Sequence, residues 1–211
     1  MAKSGQVRDG VADLWGTGYG DVASRLLTAG VHCFADAGFH ATTTRDIAKS
    51  AGLSSAALYV HFRSKEHLLF EITKVAHRKS LENLDLDELV EDPEVRLRAL
   101  VEKFVTWHAC HHVAARVSQY ELGGLASEHL AEIADLRRRT VAPFRTTIEE
   151  GVRQGSFVER DVGRTVRAIL SLGIDLVRWY RLDGPDTPEQ LGAVYAEYAL
   201  AIARHAGVGT R

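Results

Sequence analysis

Two very short helices joined at a glycine are the feature of this sequence that most limits how it can fold. Residues 48–62 have the sequence AKSAGLSSAALYVHF. Gly52 can end the first helix because glycine takes the left-handed backbone conformation without strain, and Ser54 is a suitable N-cap for the second. Small apolar residues on the first helix, such as Ala48, can pack against Leu58 on the second. The stretch therefore predicts a helix-turn-helix.

The second short helix suits the major groove of DNA. A helix fits that groove, which is roughly 12 Å wide, and small side chains let the backbone come close. The hydroxyl groups of Thr44 and Tyr59, the imidazole of His61 and the ammonium of Lys65 suit phosphate oxygens. The alternative is a tight corner between two helices with Tyr59 as a core aromatic residue. From these residues alone, both interpretations stay open.

Charge is unevenly distributed along a chain whose formal net charge is only −2. From residue 39 to residue 80 there are seven Lys or Arg against three acids. From residue 81 to residue 94 there are seven acids and no base. A basic segment in an acidic chain is expected where one part meets a polyanion, although solvated helix faces would give the same counts.

The chain as a whole is predicted to be all-α, with about nine helices. Strand-like alternation is absent, and Gly and Pro stand at the junctions. Residues 1–20 contain five glycines and no sustained period, so we expect a flexible arm that carries Lys3 and Arg8. The first helix is expected to have Asp21 as N-cap and to stop at Gly38. The predicted helices are 21–38, 43–51, 54–61, 64–84, 93–113, 112–123, 128–154, 162–181 and 187–206.

Several protein classes are disfavoured by composition or by missing motifs. No run approaches the roughly 20 apolar residues that span a bilayer, and the N-terminus lacks the apolar core of a signal peptide. We therefore expect a cytoplasmic protein without membrane contact. Cys33 and Cys110 are expected to be reduced packing residues. No Gly-rich phosphate loop, nucleophile elbow or H-E-x-x-H motif is present, so neither an enzyme nor a bound cofactor is expected.

Residues 34–72, FADAGFHATTTRDIAKSAGLSSAALYVHFRSKEHLLFEI, resemble the N-terminal DNA-binding domain of the TetR family of bacterial transcriptional regulators. The elements F-x-x-x-G-F, T-T-x-x-I-A, A-G-x-S-x-x-x-L-Y-x-H-F and S-K-E-x-L occur in order at the family's spacing. The resemblance implies a DNA-binding head at residues 21–66, a ligand-binding and dimerisation body at residues 67–211, and double-stranded operator DNA as partner. The residues that it places at the DNA are Thr44, Arg45, Ser54, Ser55, Ala56, Tyr59, His61 and Lys65.

The predicted recognition helix departs from the family pattern at two places. Ser55 and Ala56 stand where a Lys-Gly pair is frequent, and Val60 stands where a second aromatic residue often follows the tyrosine. Fewer base and phosphate contacts are therefore expected from this helix than from others in the family.

Residues 175–202, DLVRWYRLDGPDTPEQLGAVYAEYALAI, resemble the tail of family members that respond to acyl-CoA thioesters, including regulators of steroid and fatty-acid breakdown. The last two predicted helices carry long apolar faces, and the small Gly173 and Ala199 are expected to permit close helix approach. We expect a homodimer through these faces, with two recognition helices roughly 34–36 Å apart. The apolar residues are Val166, Ile169, Leu170, Leu172, Leu176 and Val177 on one helix, and Leu191, Val194, Tyr195, Tyr198 and Ile202 on the other.

Aromatic and polar residues between the head and the last helices are candidates for a small-molecule effector site. Each of them also suits an ordinary core. The guanidinium of Arg178 needs an anionic partner, which is a ligand group, Asp175, or Glu197 across the dimer. The candidates are Phe104, Trp107, His108, His111, Tyr120, Phe144, Arg178 and Trp179.

A metal site is the rival interpretation of the same region. The stretch WHACHH places His108, His111 and His112 at i, i+3 and i+4 of a predicted helix, a spacing at which histidines can share a zinc ion. Cys110 would lie on a different face. Histidines on the helix surface or in an effector site are the alternative, and no metal ligand is assigned.

Overall fold

The computed structural model describes residues 9–86, 91–158 and 161–205. Within these ranges the chain forms nine α-helices and no strand, which confirms the all-α prediction. Three short 3-10 turns lie at Ala12–Leu14, Leu122–Gly124 and Leu176–Arg178. The helices are α1 (Asp21–Ala41), α2 (Thr44–Ser50), α3 (Ser55–His61), α4 (Lys65–Asn83), α5 (Pro93–Cys110), α6 (His112–Tyr120), α7 (Ser127–Gln154), α8 (Val162–Asp175) and α9 (Pro188–Arg204). None of these helices is both long and apolar enough to cross a membrane.

Side-chain caps fix where several helices begin. The hydroxyls of Ser54 and Ser64 accept hydrogen bonds from the backbone N–H groups three residues later, as the sequence predicts. Thr43 and Thr187 form complete capping boxes at α2 and α9. α1 differs from expectation, because Gly20 and not Asp21 is its N-cap.

Two helix ends differ from the prediction for local reasons. α1 continues through Ala41 beyond Gly38, which has φ +78° and kinks the helix instead of ending it. The hydroxyl of Thr42 donates to the Gly38 carbonyl oxygen at 2.8 Å and closes the last turn. α8 ends at Asp175 and tightens into the 3-10 turn, so the predicted helix 162–181 is several residues too long.

The chain packs as two compact units. The first contains the residues up to Lys79, Cys110–Leu136 and Arg181–Asp183. The second contains Ser80–Ala109, Arg137–Tyr180 and the residues from Gly184 onward. The expected boundary between a head and a body at residue 66 falls inside continuous helix α4, so this division stays a prediction about function.

In the first unit, α1 packs against α2 and α6, and it approaches α4 closely at Gly30. Leu26, Leu27 and Leu68 are fully buried. A Cβ atom at Gly30 would lie 2.4 Å from the Leu68 side chain, so this position admits only glycine without a shift. Each buried leucine contributes roughly 1.5–3 kcal/mol relative to exposure, which anchors α4 beneath the short helices.

Residues 9–20, directly before α1, pack within the first unit, whereas a flexible arm was expected there; residues 1–8 of the expected arm lie outside the described residues. Val11, Leu14 and Trp15 are buried. The indole N–H of Trp15 donates to the Thr28 hydroxyl at 2.8 Å, and the Tyr19 hydroxyl donates to Glu71 at 2.5 Å. The segment is held in place because three of its apolar side chains are buried, although it is rich in glycine.

Burial and the neighbouring carboxylate of Glu71 raise the pKa of Tyr19. The Tyr19 hydroxyl therefore keeps its proton and donates to Glu71 near neutral pH. Lys3 and Arg8, the basic residues of the expected arm, lie outside the described residues.

The second unit is built around α5. A Cβ atom at Gly173 of α8 would lie 2.9 Å from the Phe104 ring, and one at Gly192 of α9 would lie 2.6 Å from the Thr106 hydroxyl. Ala199 is 1% exposed. Gly173 therefore permits the close helix approach that the sequence predicts, and this approach, like the burial of Ala199, occurs inside one subunit.

Candidate functional site

Helix α2 is held rigidly at its start by a reciprocal cap. The Thr43 hydroxyl accepts from the Asp46 backbone N–H at 3.2 Å, and the Asp46 carboxylate accepts from the Thr43 backbone N–H at 3.0 Å. The Thr43 hydroxyl also donates to Asp46 at 2.6 Å. These hydrogen bonds lower the pKa of Asp46, so its carboxylate stays charged and the cap persists near neutral pH.

The turn between α2 and α3 is closed by glycine and by backbone hydrogen bonds. Gly52 has φ +67°, a left-handed conformation, as the sequence predicts. The Leu53 N–H donates to the Ala48 carbonyl oxygen at 2.8 Å. From α1, the Arg25 guanidinium donates to the Ala51 carbonyl oxygen at 2.6 Å. The turn is therefore fixed from both sides, and the angle between α2 and α3 is set.

Helix α3 is anchored on one face and exposed on the other. Leu58 is fully buried and Phe62, directly after the helix, is 2% exposed. Most of the remaining side chains of the segment 54–61 point into solvent. The exposed residues are Ser54, Ala56, Tyr59, Val60 and His61, while Ser55 is half-buried.

Tyr59 is tied to the start of α2 and is not a core residue. Its side chain is 56% exposed, which overturns the interpretation of a tight corner with a core tyrosine. Its hydroxyl lies 3.2 Å from the Thr44 hydroxyl, within hydrogen-bond distance. Two predicted phosphate-contacting groups thus come together at one edge of the helix pair, and the exposed Arg45 follows Thr44 on the same helix.

Lys65 has partners inside the first unit. Its ammonium donates to the carbonyl oxygens of Phe39 and Thr42 at 2.6 and 2.7 Å, and it lies 4.3 Å from the centre of the Phe39 ring. The side chain therefore provides hydrogen bonds to two carbonyl groups at the end of α1, and one N–H donor of the ammonium is left for other partners. Its assignment to a DNA phosphate stays a prediction.

The base of the helix-turn-helix is braced from α6 and α7. The Glu121 carboxylate accepts from the Phe39 backbone N–H at 2.9 Å. The Glu66 carboxylate accepts from the Ala126 N–H at 2.9 Å and from the His129 ring at 2.6 Å. Residues far along the chain thus hold the ends of α1 and α4 in place.

Four of the predicted effector residues come together in the second unit. The rings of Phe104 and His108 lie 4.2 Å apart, and those of Phe104 and Phe144 lie 5.7 Å apart in a T-shaped arrangement. The Trp107 and His108 rings are 5.1 Å apart. All four side chains are buried. We refer to Phe104, Trp107, His108 and Phe144 as the aromatic cluster.

The other four predicted effector residues do not join this cluster. His111 lies in the first unit, where its Nδ1–H donates to the Gly10 carbonyl oxygen at 3.1 Å. Tyr120 and Trp179 are each 50% exposed. Arg178 is exposed and pairs with Asp175 at 3.3 Å, which is the intrasubunit alternative that the sequence allowed.

The histidine triad proposed for zinc is not assembled. Among the described residues, no group of three or more His, Cys, Asp or Glu side chains is placed to hold a metal ion. The reason is local, because α5 ends at Cys110 and α6 begins at His112. His111 between them has the non-helical angles φ −113° and ψ 30°, so the helical spacing on which the prediction depended is broken.

Sequence reasoning missed two buried hydroxyls on α4. Thr73 is 1% exposed and Ser80 is 6% exposed, and neither hydroxyl has a hydrogen-bond partner among the described residues. An unsatisfied buried hydroxyl costs about 1–3 kcal/mol, so each is a group that a polar ligand atom can stabilise. The signal was available, because polar residues seven positions apart share one face of a helix.

Comparison with known proteins covers nearly all of the chain. The model described as "Bacterial regulatory proteins, tetR family" matches residues 26–72. The model described as "Tetracyclin repressor-like, C-terminal domain" matches residues 90–203. The HTH-type transcriptional repressor KstR2 of Mycobacterium tuberculosis is 33% identical over 199 residues, which cover 90% of this chain and 98% of that protein. This chain belongs to the TetR family.

Solved structures agree with the assignment to the TetR family. A tetR-family regulatory protein from Rhodococcus RHA1 has a TM-score of 0.82 at 39% identity, over 89% of this chain and 100% of that one. AibR, solved with isovaleryl coenzyme A and operator DNA, has a TM-score of 0.75 at 21% identity, over 84% and 97% of the two chains. The second likeness shows the fold alone. As a TetR-family protein, the chain is a transcriptional regulator and not an enzyme.

Proposed function

We propose that this TetR-family regulator binds operator DNA as a homodimer in the cytoplasm, represses transcription, and is released by an acyl-CoA thioester. The observation that carries the DNA-binding part is the outward presentation of α3. Its inner face is anchored by Leu58, and its outer face presents Tyr59, held beside Thr44. Two such helices about 34–36 Å apart match consecutive major grooves on one side of the duplex.

An uncovered apolar stripe on α9 supports the homodimer. Val194 and Tyr198 are one helical turn apart and are 44% and 54% exposed. Half-buried Tyr195 and Ile202 lie beside them on the helix. α8 packs against α9 and contributes Leu172, which is 41% exposed. A stripe of this kind on the last helices suits a two-fold interface in which each subunit covers the other.

Three observations support an acyl-CoA effector. KstR2 is 33% identical to this chain, and its solved structure is described as that of a ketosteroid transcriptional regulator. AibR binds isovaleryl coenzyme A. In this chain, the aromatic cluster of the second unit supplies apolar side chains for an acyl chain, and the unpartnered hydroxyl of Ser80 in the same unit can donate to a carbonyl or amide oxygen. The Arg178 guanidinium, being exposed and paired with Asp175, is not part of this proposal.

Release requires that the effector prefer a conformation that binds DNA poorly. The proposed change is a swing of α4, which begins directly after the recognition helix and would change the distance between the two recognition helices of a dimer. Because binding free energies are linked, DNA must weaken effector binding by the same factor by which the effector weakens DNA binding. An equal affinity of the effector for free and DNA-bound protein would contradict this mechanism.

The DNA-binding part is tested with the double variant Tyr59→Phe with His61→Ala. Each hydrogen bond to a phosphate contributes about 0.5–1.5 kcal/mol, and two are lost in each of the two subunits, so we expect operator affinity to fall by at least roughly 30-fold. The matched control is Tyr120→Phe with His205→Ala, which changes an exposed tyrosine on α6 and an exposed histidine directly after α9.

Operator affinity is measured by fluorescence anisotropy at one fixed salt concentration, and the oligomeric state by light scattering. The proposal predicts weaker DNA binding with an intact dimer for the first variant and unchanged binding for the control. Equal affinity of both variants for the operator would remove α3 from the interface.

A further inference from the structure

The recognition helix presents an unusually exposed aliphatic side chain to solvent. Val60 is 79% exposed, more than any other large hydrophobic residue in the described part of the chain. The two preceding residues of the helix have structural roles, because Leu58 is buried in the core and the Tyr59 hydroxyl lies within hydrogen-bond distance of Thr44. Val60 has no such structural role, since most of its side chain lies in solvent.

The outer face of α3 is apolar at the positions that project furthest. Ala56 and Val60 lie one helical turn apart and are both exposed. The segment Ser55–His61 contains no Lys, Arg, Asn, Gln, Asp or Glu. The side chains that usually form paired hydrogen bonds with guanine or adenine are therefore missing from this helix. Base recognition by α3 has to use another kind of contact.

The major groove offers one apolar feature, which is the C5-methyl group of thymine. We propose that the Val60 side chain packs against a thymine methyl in each half-site and so determines part of the operator specificity. Ala56, one turn before it, leaves room for the helix to approach. This inference depends on the proposed DNA binding and adds to it the identity of the base that α3 recognises.

Charge around the helix favours DNA over a protein partner as the occupant of this apolar surface. Arg45 and Lys49 on α2 are exposed, and so is Arg63, two residues after α3. An exposed valine on a short helix preceded and followed in the chain by exposed cations is poorly suited to an apolar protein surface but well suited to a groove lined by phosphates. The apolar contact then carries sequence information while the cations supply affinity.

The test removes the thymine methyl group and the Val60 side chain, separately and together. Deoxyuridine pairs as thymidine does but lacks the C5-methyl, so each thymine of the operator is replaced by uracil in turn, symmetrically in both half-sites. Affinities are measured for the wild type, for Val60→Ala and for Val60→Ile. Val95→Ala is the control, because Val95 is 52% exposed and lies on α5.

At one thymine per half-site, the effect of uracil substitution on affinity should depend on whether residue 60 is valine or alanine. A methyl-sized apolar contact implies about fourfold in affinity per half-site and roughly 15-fold for both, so the uracil operator should bind wild type that much more weakly. Val60→Ala should bind the two operators within about twofold of each other, whereas Val60→Ile and Val95→Ala should retain the wild-type preference. Thermal unfolding should be unchanged in Val60→Ala, because the side chain is exposed.

Equal losses for wild type and Val60→Ala at every thymine would overturn the inference while leaving DNA binding by α3 in place. The same is true if no uracil substitution changes the affinity of the wild type. A wild-type protein that does not bind the operator at all would instead contradict the proposed function, and the inference with it. The two failures are therefore distinguishable within one experiment.

Discussion

The homodimer predicts that a single carboxylate on the exposed stripe of α9 will separate the subunits. The perturbation is Val194→Asp. Val194 is 44% exposed in the isolated subunit, and its neighbour one turn along, Tyr198, is 54% exposed. In a two-fold dimer, one substitution changes the interface twice, because each subunit contributes the same surface.

The expected loss follows from the area that Val194 has still to bury. Burying a whole valine side chain contributes roughly 1.5–3 kcal/mol, so covering the exposed 44% contributes about 0.7–1.3 kcal/mol. Two copies give roughly 1.5–2.5 kcal/mol, which is about 10–60-fold in the dimer dissociation constant. The desolvation of two carboxylates adds to this loss, so about tenfold is the lower limit.

The assay is sedimentation equilibrium over a range of protein concentrations, with operator affinity measured alongside. Val95→Asp is the matched control, because it places the same charge at an exposed valine in the first turn of α5, where an acid is favourable to the helix. The account predicts a monomer with weak operator binding for Val194→Asp and a dimer for Val95→Asp. Equal dimer dissociation constants for the two variants would refute the assignment of the α9 stripe to the subunit interface.

Two further predictions concern the stability of the units themselves. Gly173→Ala should lower the free energy of unfolding by about 1–3 kcal/mol in urea titrations, because its Cβ would lie 2.9 Å from the Phe104 ring; Gly123→Ala, with no atom within 4 Å, is the control. Burial lowers the pKa of His111, so the unfolded state takes up the proton first, and His111 should contribute a loss of stability as the pH falls through about 6.5. His111→Asn, whose amide can still donate to Gly10, should show a flatter dependence of urea midpoint on pH, and an unchanged slope would contradict this reasoning.

Local chemistry made the helix-turn-helix predictable from sequence. Gly52 ends α2 because of its own conformational freedom, and Ser54 caps α3 through a residue three positions away. Each of these signals depends on residues within one turn of the chain. The same is true of Asp175, which lies three residues from Arg178 and was among its possible partners.

Contacts between distant parts of the chain were not predictable. Trp15 is held by Thr28, and Tyr19 by Glu71, 52 residues later, so composition alone made this segment resemble a flexible arm. The alternative prediction of a zinc site at the histidines near residue 110 failed for a different reason. A helical spacing was assumed where His111 interrupts the helix, and no cap residue in the sequence marks that break.

Sequence also could not divide the predicted effector residues into those that meet and those that do not. Phe104 and Phe144 are 40 positions apart and meet because α5 and α7 bring them together in the second unit. Trp179, which the sequence placed in the same group, remains 50% exposed. All three residues are aromatic, so residue type does not show which of them become buried together on folding.

Release of a repressor from its operator by an effector is tested by measuring operator affinity. The affinity of the purified protein for the DNA flanking its own gene is measured with and without a panel of acyl-CoA thioesters, and with zinc as a control, at one fixed salt concentration. The expected result is that a thioester alone abolishes binding, while zinc has no effect. Unchanged operator affinity at saturating concentrations of every thioester would contradict it, and a response to zinc alone would assign the effector site to metal chemistry.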